Sequence, residues 1–191
     1  MKFCSACGAR VALEVPPGDN RPRHVCGDCG AIHYVNPKVV VGALPVWEGL
    51  VLLCRRAIEP RHGYWTLPAG FLEVGETMEE GACREASEEA NANLRLEGLY
   101  TLFSIPHIDQ IHVYFRARLL DQGFHPGEES LDVRLFRGDE IPWDELAFPV
   151  VHKTLELWLE ERESGRFRTH TGDIVRRPGS RAWPRFTVRS H

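Results

Sequence analysis

The segment from Gly70 to Ala92, GFLEVGETMEEGACREASEEANA, leaves its residues little conformational choice. Thr77 and Glu80 are spaced as a capping box, in which each side chain satisfies the other residue's backbone amide, so a helix is expected to start at Thr77. Ala82, Ala86 and Ala90 recur every four residues, a stripe of small side chains suited to close packing on a sheet. The helix is expected to end near Asn91, because Asn tolerates the left-handed conformation that closes helices. Glu85, Glu88 and Glu89 stand at i, i+3 and i+4 and so share one face. Like charges crowded in this way repel, and a solvated helix gains nothing from them. Clustered hard oxygen ligands suit Mg²⁺ or Mn²⁺, which hold phosphate substrates through a few carboxylates and several waters.

A second constraint lies at the N-terminus. Cys4-x2-Cys7 and Cys26-x2-Cys29 are two CxxC knuckles with eighteen residues between them, and Gly8, Gly27 and Gly30 supply tight turns beside them. Four thiolates at this spacing read as a closed, structural Zn²⁺ site. Fewer than forty residues bury little core, so metal binding would supply the folding energy. Two disulfides or an iron–sulfur centre would use the same residues. A reducing compartment argues against the first and the paired knuckles against the second. His24 and His33 lie near the ligands and read as surface or packing residues. Cys54 and Cys83 fall outside the pattern.

Between these features the pattern is that of strands. Val39 to Val46 and Leu50 to Cys54 form a hairpin about Trp47-Glu48-Gly49, and Trp65 to Leu67 leads through Pro68-Ala69 into Gly70. Further strands are expected at Leu99 to Ile105, Ile111 to Leu119 and Leu131 to Phe136. A second helix is expected from about Val150 to Glu163, on the stripe Val151, Leu155, Trp158, Leu159. A mixed sheet held between helices is the natural packing for this order.

The box also resembles a known family. Nudix hydrolases carry G-x5-E-x7-R-E-U-x-E-E-x-G-U, with U aliphatic, and Gly70, Glu76, Arg84, Glu85, Ala86, Glu88, Glu89 and Ala92 fill it in register. The one departure is Asn91, where the family has its last glycine; no acid is lost. The resemblance covers about residues 38–162 and implies an α/β/α sandwich with a mixed sheet, preceded by a small zinc ribbon like those of several Nudix subfamilies. The expected divisions are residues 1–36 for the ribbon, 37–164 for the Nudix domain and 165–191 for a basic, flexible tail.

Glu85 and Glu89 are the expected principal Mg²⁺ ligands and Glu88 a third ligand or support, and the resemblance implies the same. Arg84, four residues before Glu88, can pair with it and fix that carboxylate. Glu76 is expected to stabilise the loop or to bind a further metal. For the general base, Glu128 and Glu129, in the loop PGEES outside the box, are candidates, with a surface acid beside a turn as the alternative. Arg55 and Arg56 end a strand with side chains on opposite faces, so one of them is a candidate for phosphate. Trp65 is a candidate for stacking on a base or for the core, Gly70 is a further substrate-binding candidate, and His107 is another, with an ordinary loop residue as the alternative.

The resemblance implies hydrolysis of a nucleoside diphosphate linked to another moiety, giving a nucleoside monophosphate and a phosphorylated product. NADH pyrophosphatases of this layout carry a Ser-Gln-Pro-Trp-Pro-Phe-like stretch after the box; TLFSIPHIDQIHVYF stands there here. The chain looks more like the ribbon-bearing proteins associated with ADP-ribose or FAD. Hydrolysis of NADH or NAD-capped RNA remains the alternative, and a nucleotide-sensing, nucleic-acid-binding regulator the alternative of another class. A homodimer is allowed by analogy.

The 191 residues, 43% hydrophobic and 26% charged, suit one domain and a small appendage. No apolar run approaches the ~18 residues of a membrane span, so no membrane partner is expected. The start MKFCSACG has no apolar signal core, which argues for the cytoplasm. Seven arginines and only Asp173 give residues 165–191 a charge of +6, leaving −10 on the remainder of a chain of net charge −4. A solvated terminal segment accounts for this more simply than nucleic-acid contact.

Overall fold

A computed structural model describes residues 1–176 and 186–190 and divides the chain into two compact units, Met1–Pro37 and Lys38–His191. The first holds β1 (Val11–Glu14), β2 (Arg23–Cys26) and β3 (Ile32–His33) in one antiparallel sheet. Its two knuckles repeat one backbone pattern: Cys4 N donates to Ala9 O and Gly8 N to Cys4 O, as Cys26 N does to Ala31 O and Gly30 N to Cys26 O. Gly8 and Gly30 close these loops at φ of 79° and 73°, left-handed values that glycine adopts at no steric cost.

The second unit is a mixed sheet between two helices. Its strands are β4 (Lys38–Trp47), β5 (Leu50–Arg56), β6 (Trp65–Thr66), β7 (Ala69–Phe71), β8 (Leu94–Ile105), β9 (Gln110–Leu119), β10 (Ser130–Phe136), β11 (His170–Arg176) and β12 (Phe186–Ser190). Among the described residues the order is β10-β5-β4-β9-β8-β11-β12, with β6 beside β5 and β7 beside β4. The β4–β9 and β8–β11 pairs are parallel and the others antiparallel. Helix α1 (Met78–Ala90) lies on one face, where Ala82 packs with Val41, Val113 and Phe115, and Ala86 and Ala90 with Leu52, Cys54 and Leu119. Helix α2 (Pro149–Arg162) lies with the opposite set, in which Val151, Leu155 and Trp158 join Leu44, Leu53, Phe103 and Tyr114. Period-two alternation along β4 and β9 divides the two cores. The α/β/α sandwich is thus present, and no helix among the described residues is long and apolar enough to cross a membrane.

Local signals match closely. Thr77 caps α1 with both bonds of the capping box, Asn91 closes it at φ 48°, and Glu48-Gly49 turn the first hairpin at positive φ. Strand β8 starts five residues before the expected Leu99, because bulges at Leu96/Gly98 and Leu99/Thr101 break the alternation that marks a strand in sequence. The basic segment beyond Gly165 is the larger correction. His170–Arg176 pairs in parallel with β8, and Ile174 is fully buried. A buried Glu161 holds this strand, accepting from Tyr100 Oη, Arg168 Nε and His170 Nε2. Arg177, Arg181 and Arg185 of the expected tail lie outside the described residues.

Candidate active site

The box residues meet where α1 faces β7. Gly70 pairs with Val41 on β4, and a Cβ at Gly70 would collide with the Glu85 carboxylate, so glycine lets the acid lie directly on the strand. Glu85 and Glu89 are buried at 9% and 6% exposure, whereas the Glu88 side chain is 60% exposed. Glu89 accepts from the Ala69 amide at 3.3 Å. Burial, with the Glu85 charge beside it, pushes the Glu89 carboxyl up to about 8, and burial raises Glu85 as well. Two adjacent buried acids are costly unless a cation joins them.

Arg84 does more than pair with Glu88. Its Nε and Nη2 grip both oxygens of Glu76 at 3.0 and 2.8 Å, Nη1 reaches Glu85 at 2.7 Å and Glu88 at 3.0 Å, and Nη2 also donates to Phe71 O. Glu76 also accepts from the Glu73 amide at 2.7 Å. The Arg84 clamp, chiefly, holds its carboxyl down to about 2. Of its two expected roles, Glu76 fills the structural one: it ties the box loop to α1 and sets the arginine that orients two acids.

The loop after β9 folds back on the end of α1. His125 N donates to Ala90 O, Gly127 N to Glu89 O and Asn91 Nδ2 to His125 O. A Cβ at Gly127 would strike the Glu88 carbonyl, so the contact requires glycine. This anchoring brings Glu128 and Glu129 to the cleft that the box acids line. Both are exposed, and the Glu129 charge acts on Glu85 and Glu89 alike.

The cleft has a volume of about 1100 Å³ and runs from the acids across β4 and β9 to the start of α2. Arg56, Gly70 and His107 line it; Arg55 and Trp65 do not. Arg56 is buried, donates from Nε to Pro60 O and stacks over Phe148, while Arg55 points outward and donates to Gly63 O. Alternation at the strand end separates them, with Arg56 the inner one. Trp65 sits in the core, edge-on to Phe136 with centroids 4.9 Å apart, so the core alternative holds and stacking on substrate is corrected. Sequence reasoning missed Phe71, His112 and Phe148 as cleft residues. The period of two along β9, which puts His112 on the face of Gln110 and Tyr114, was the signal for one of them.

In the ribbon, the four sulfurs of Cys4, Cys7, Cys26 and Cys29 lie within 4.8 Å of one another. Cys4–Cys29 and Cys7–Cys26 are 3.6 and 3.5 Å apart, beyond the ~2.05 Å of a disulfide. A tetrahedron of ~2.3 Å Zn–S bonds has edges of about 3.8 Å, so the cluster fits zinc. His33 is not a bystander: its Nε2 stands 3.3 Å from the Cys4 sulfur, on the neighbouring strand β3.

Residues 36–159 match the family model described as NUDIX domain, and residues 2–35 match that described as Nudix N-terminal. The chain is similar to a crystal structure described as a NUDIX hydrolase from Nitrosomonas europaea, at 55% identity, 91% of this chain, 99% of that one and a TM-score of 0.89. It is 33% identical to a Vibrio vulnificus protein named NAD-capped RNA hydrolase NudC, over 74% of this chain and 53% of that protein. A Methanocaldococcus jannaschii protein named ADP-ribose pyrophosphatase is 29% identical over 60% of this chain and 69% of its own length. The chain thus spans about half the length of the Vibrio relative.

Proposed function

Because the chain belongs to the NUDIX domain family and carries the Nudix N-terminal ribbon ahead of it, we propose that it is a cytoplasmic, divalent-cation-dependent pyrophosphohydrolase with a structural zinc ribbon. It cleaves a nucleoside diphosphate linked to another moiety, with ADP-ribose or FAD as substrate, into AMP and a phosphorylated product. The observation that carries this reading is the pair of buried acids, Glu85 and Glu89, joined by Glu88 and Arg84 at the edge of a cleft large enough for a dinucleotide.

The donor set fits Mg²⁺ or Mn²⁺: three carboxylates, two of them buried and raised in pKa, with no soft ligand among them. When bound, the cation neutralises diphosphate charge and makes an attacking water more acidic. Arg84 holds Glu85 and Glu88 in place, and Gly70 allows Glu85 to reach its position. Arg56 sets a buried positive charge on the cleft wall, where it offsets the negative diphosphate. Glu129, carried to the cleft by the anchored loop, takes the proton of the attacking water. The water oxygen bonds to one phosphorus as the bridging P–O bond breaks, and the displaced phosphate leaves with the other half of the substrate.

A second reading, cleavage of NADH or of an NAD cap, is favoured by the name of the Vibrio vulnificus relative. A panel of ADP-ribose, FAD, NADH, NAD⁺ and nucleoside triphosphates, with products identified by mass, separates the readings. AMP and ribose 5-phosphate from ADP-ribose support the first, a preference for NADH the second. Pyrophosphate released from triphosphates contradicts both.

A further inference from the structure

Two polar side chains that line the cleft form a pair that the proposed chemistry does not use. Gln110 and His112 stand two residues apart on β9, on one face, and both line the cleft. The Gln110 Oε1 is 2.8 Å from His112 Nε2. His112 is 8% exposed, and its Nδ1 is buried without a hydrogen-bond partner.

These contacts fix the direction of the pair. Burial pushes the His112 imidazole down to about 4, so at neutral pH the ring carries one proton. If that proton were on Nδ1, a buried N–H would stand without an acceptor, at a cost of about 1–3 kcal/mol. Orphaned buried donors are rarer than under-satisfied acceptors. The proton therefore sits on Nε2 and is donated to Gln110 Oε1, which fixes the amide's orientation. The Gln110 NH2 is left over, on a residue that lines the cleft.

Position says what the NH2 meets. Gln110 pairs with Lys38, and Lys38 is three residues along β4 from Val41, the partner of Gly70 against which Glu85 lies. At about 3.3 Å per residue the two backbone positions are about 10 Å apart along the strands, with their side chains on opposite faces, and the one cleft that both line joins the amide to a diphosphate held at the acids. Val40, Phe71, Ile105 and Ile108 line the same cleft and give it apolar surface for a flat ring. We propose that Gln110, oriented by His112, is a specificity-determining contact for the heterocyclic base of the substrate, its NH2 donating to a ring nitrogen or carbonyl oxygen on the base edge. The assignment rests on the proposed function for the placing of the diphosphate.

The test compares AMP with ribose 5-phosphate, which has no base, by calorimetry on the full chain with Mg²⁺. Gln110→Met removes the donors without adding charge. AMP affinity is expected to fall about tenfold, with ribose 5-phosphate within about twofold. Equal losses for both, no loss for AMP, or wild-type protein that binds AMP no better than ribose 5-phosphate overturn the proposal and leave the proposed function standing; absence of turnover across the substrate panel overturns both. His112 acts only through Gln110, so His112→Leu should raise KM for ADP-ribose with little change in kcat, and His112→Gln, whose amide can donate to Oε1, should recover part of the loss. The ¹⁵N spectrum of the imidazole gives a readout without ligand: Nε2 protonated and Nδ1 bare is expected, and the opposite tautomer overturns the orientation.

Discussion

Gly70 lies so close to the Glu85 carboxylate that not even a methyl group fits between strand and acid. Gly70→Ala should therefore act on chemistry more than on folding, because the clashing atoms are the far end of a side chain that can swing away. A displaced ligand by about 1 Å is worth up to ~10²-fold in rate. The expected result is a fall of about 10–10²-fold in kcat for ADP-ribose with Tm moved by only a few degrees. A variant with wild-type kcat would separate Glu85 from the reaction.

Arg84 joins Glu76, Glu85 and Glu88 through a planar fork that a lysine cannot reproduce. Arg84→Lys is expected to weaken Mg²⁺ binding about tenfold or more and to lower turnover at limiting metal, with partial recovery at saturating metal. Turnover curves against Mg²⁺ concentration check this. Unchanged metal dependence would leave the clamp as a stabilising device alone.

The local signals of this chain, the capping box, the αL residue Asn91 and the alternation of β4 and β9, are contained in short windows and were legible in the sequence. So was the gathering of Glu85, Glu88 and Glu89, which one helical turn enforces. Tertiary position was not. Trp65 and Arg55 looked suited to substrate, but one is claimed by Phe136 and the other by Gly63 O, contacts set by strands distant in sequence or by the path of a loop. The strand His170–Arg176 was hidden because its Arg-rich surroundings read as a solvated tail, while its burial depends on Ile174 and on Glu161 in α2.

His112 gives the fold an acid-sensitive contribution. Its folded pKa is depressed to about 4 from 6.5, so the stability it supplies is present above pH 6.5 and is lost as pH falls toward 4, where the unfolded chain gains the proton first. The loss amounts to about 3 kcal/mol at most. Denaturation of wild type and His112→Gln from pH 7 to 4 should show a steeper decline in the wild type. Parallel curves would place His112 in a wetter setting than the structure gives it.

The four-cysteine cluster predicts a unit that depends on metal. One zinc per chain is expected by elemental analysis. Strong chelation should unfold residues 1–37, seen as loss of their dispersed amide resonances, while the Lys38–His191 unit keeps its own. A ribbon that survives chelation with no zinc present would remove the assignment.

The central claim is that the buried acids of α1 hold the cation that drives cleavage of a diphosphate, and AMP release from ADP-ribose by wild type and Glu89→Gln, titrated with Mg²⁺, tests it most directly. The account predicts Mg²⁺-dependent turnover by the wild type. It predicts a loss of about 10²–10³-fold in the variant, which exchanges a buried carboxylate for a neutral isostere and so keeps its fold. Undiminished turnover in Glu89→Gln, or no turnover by metal-loaded wild type, would contradict it.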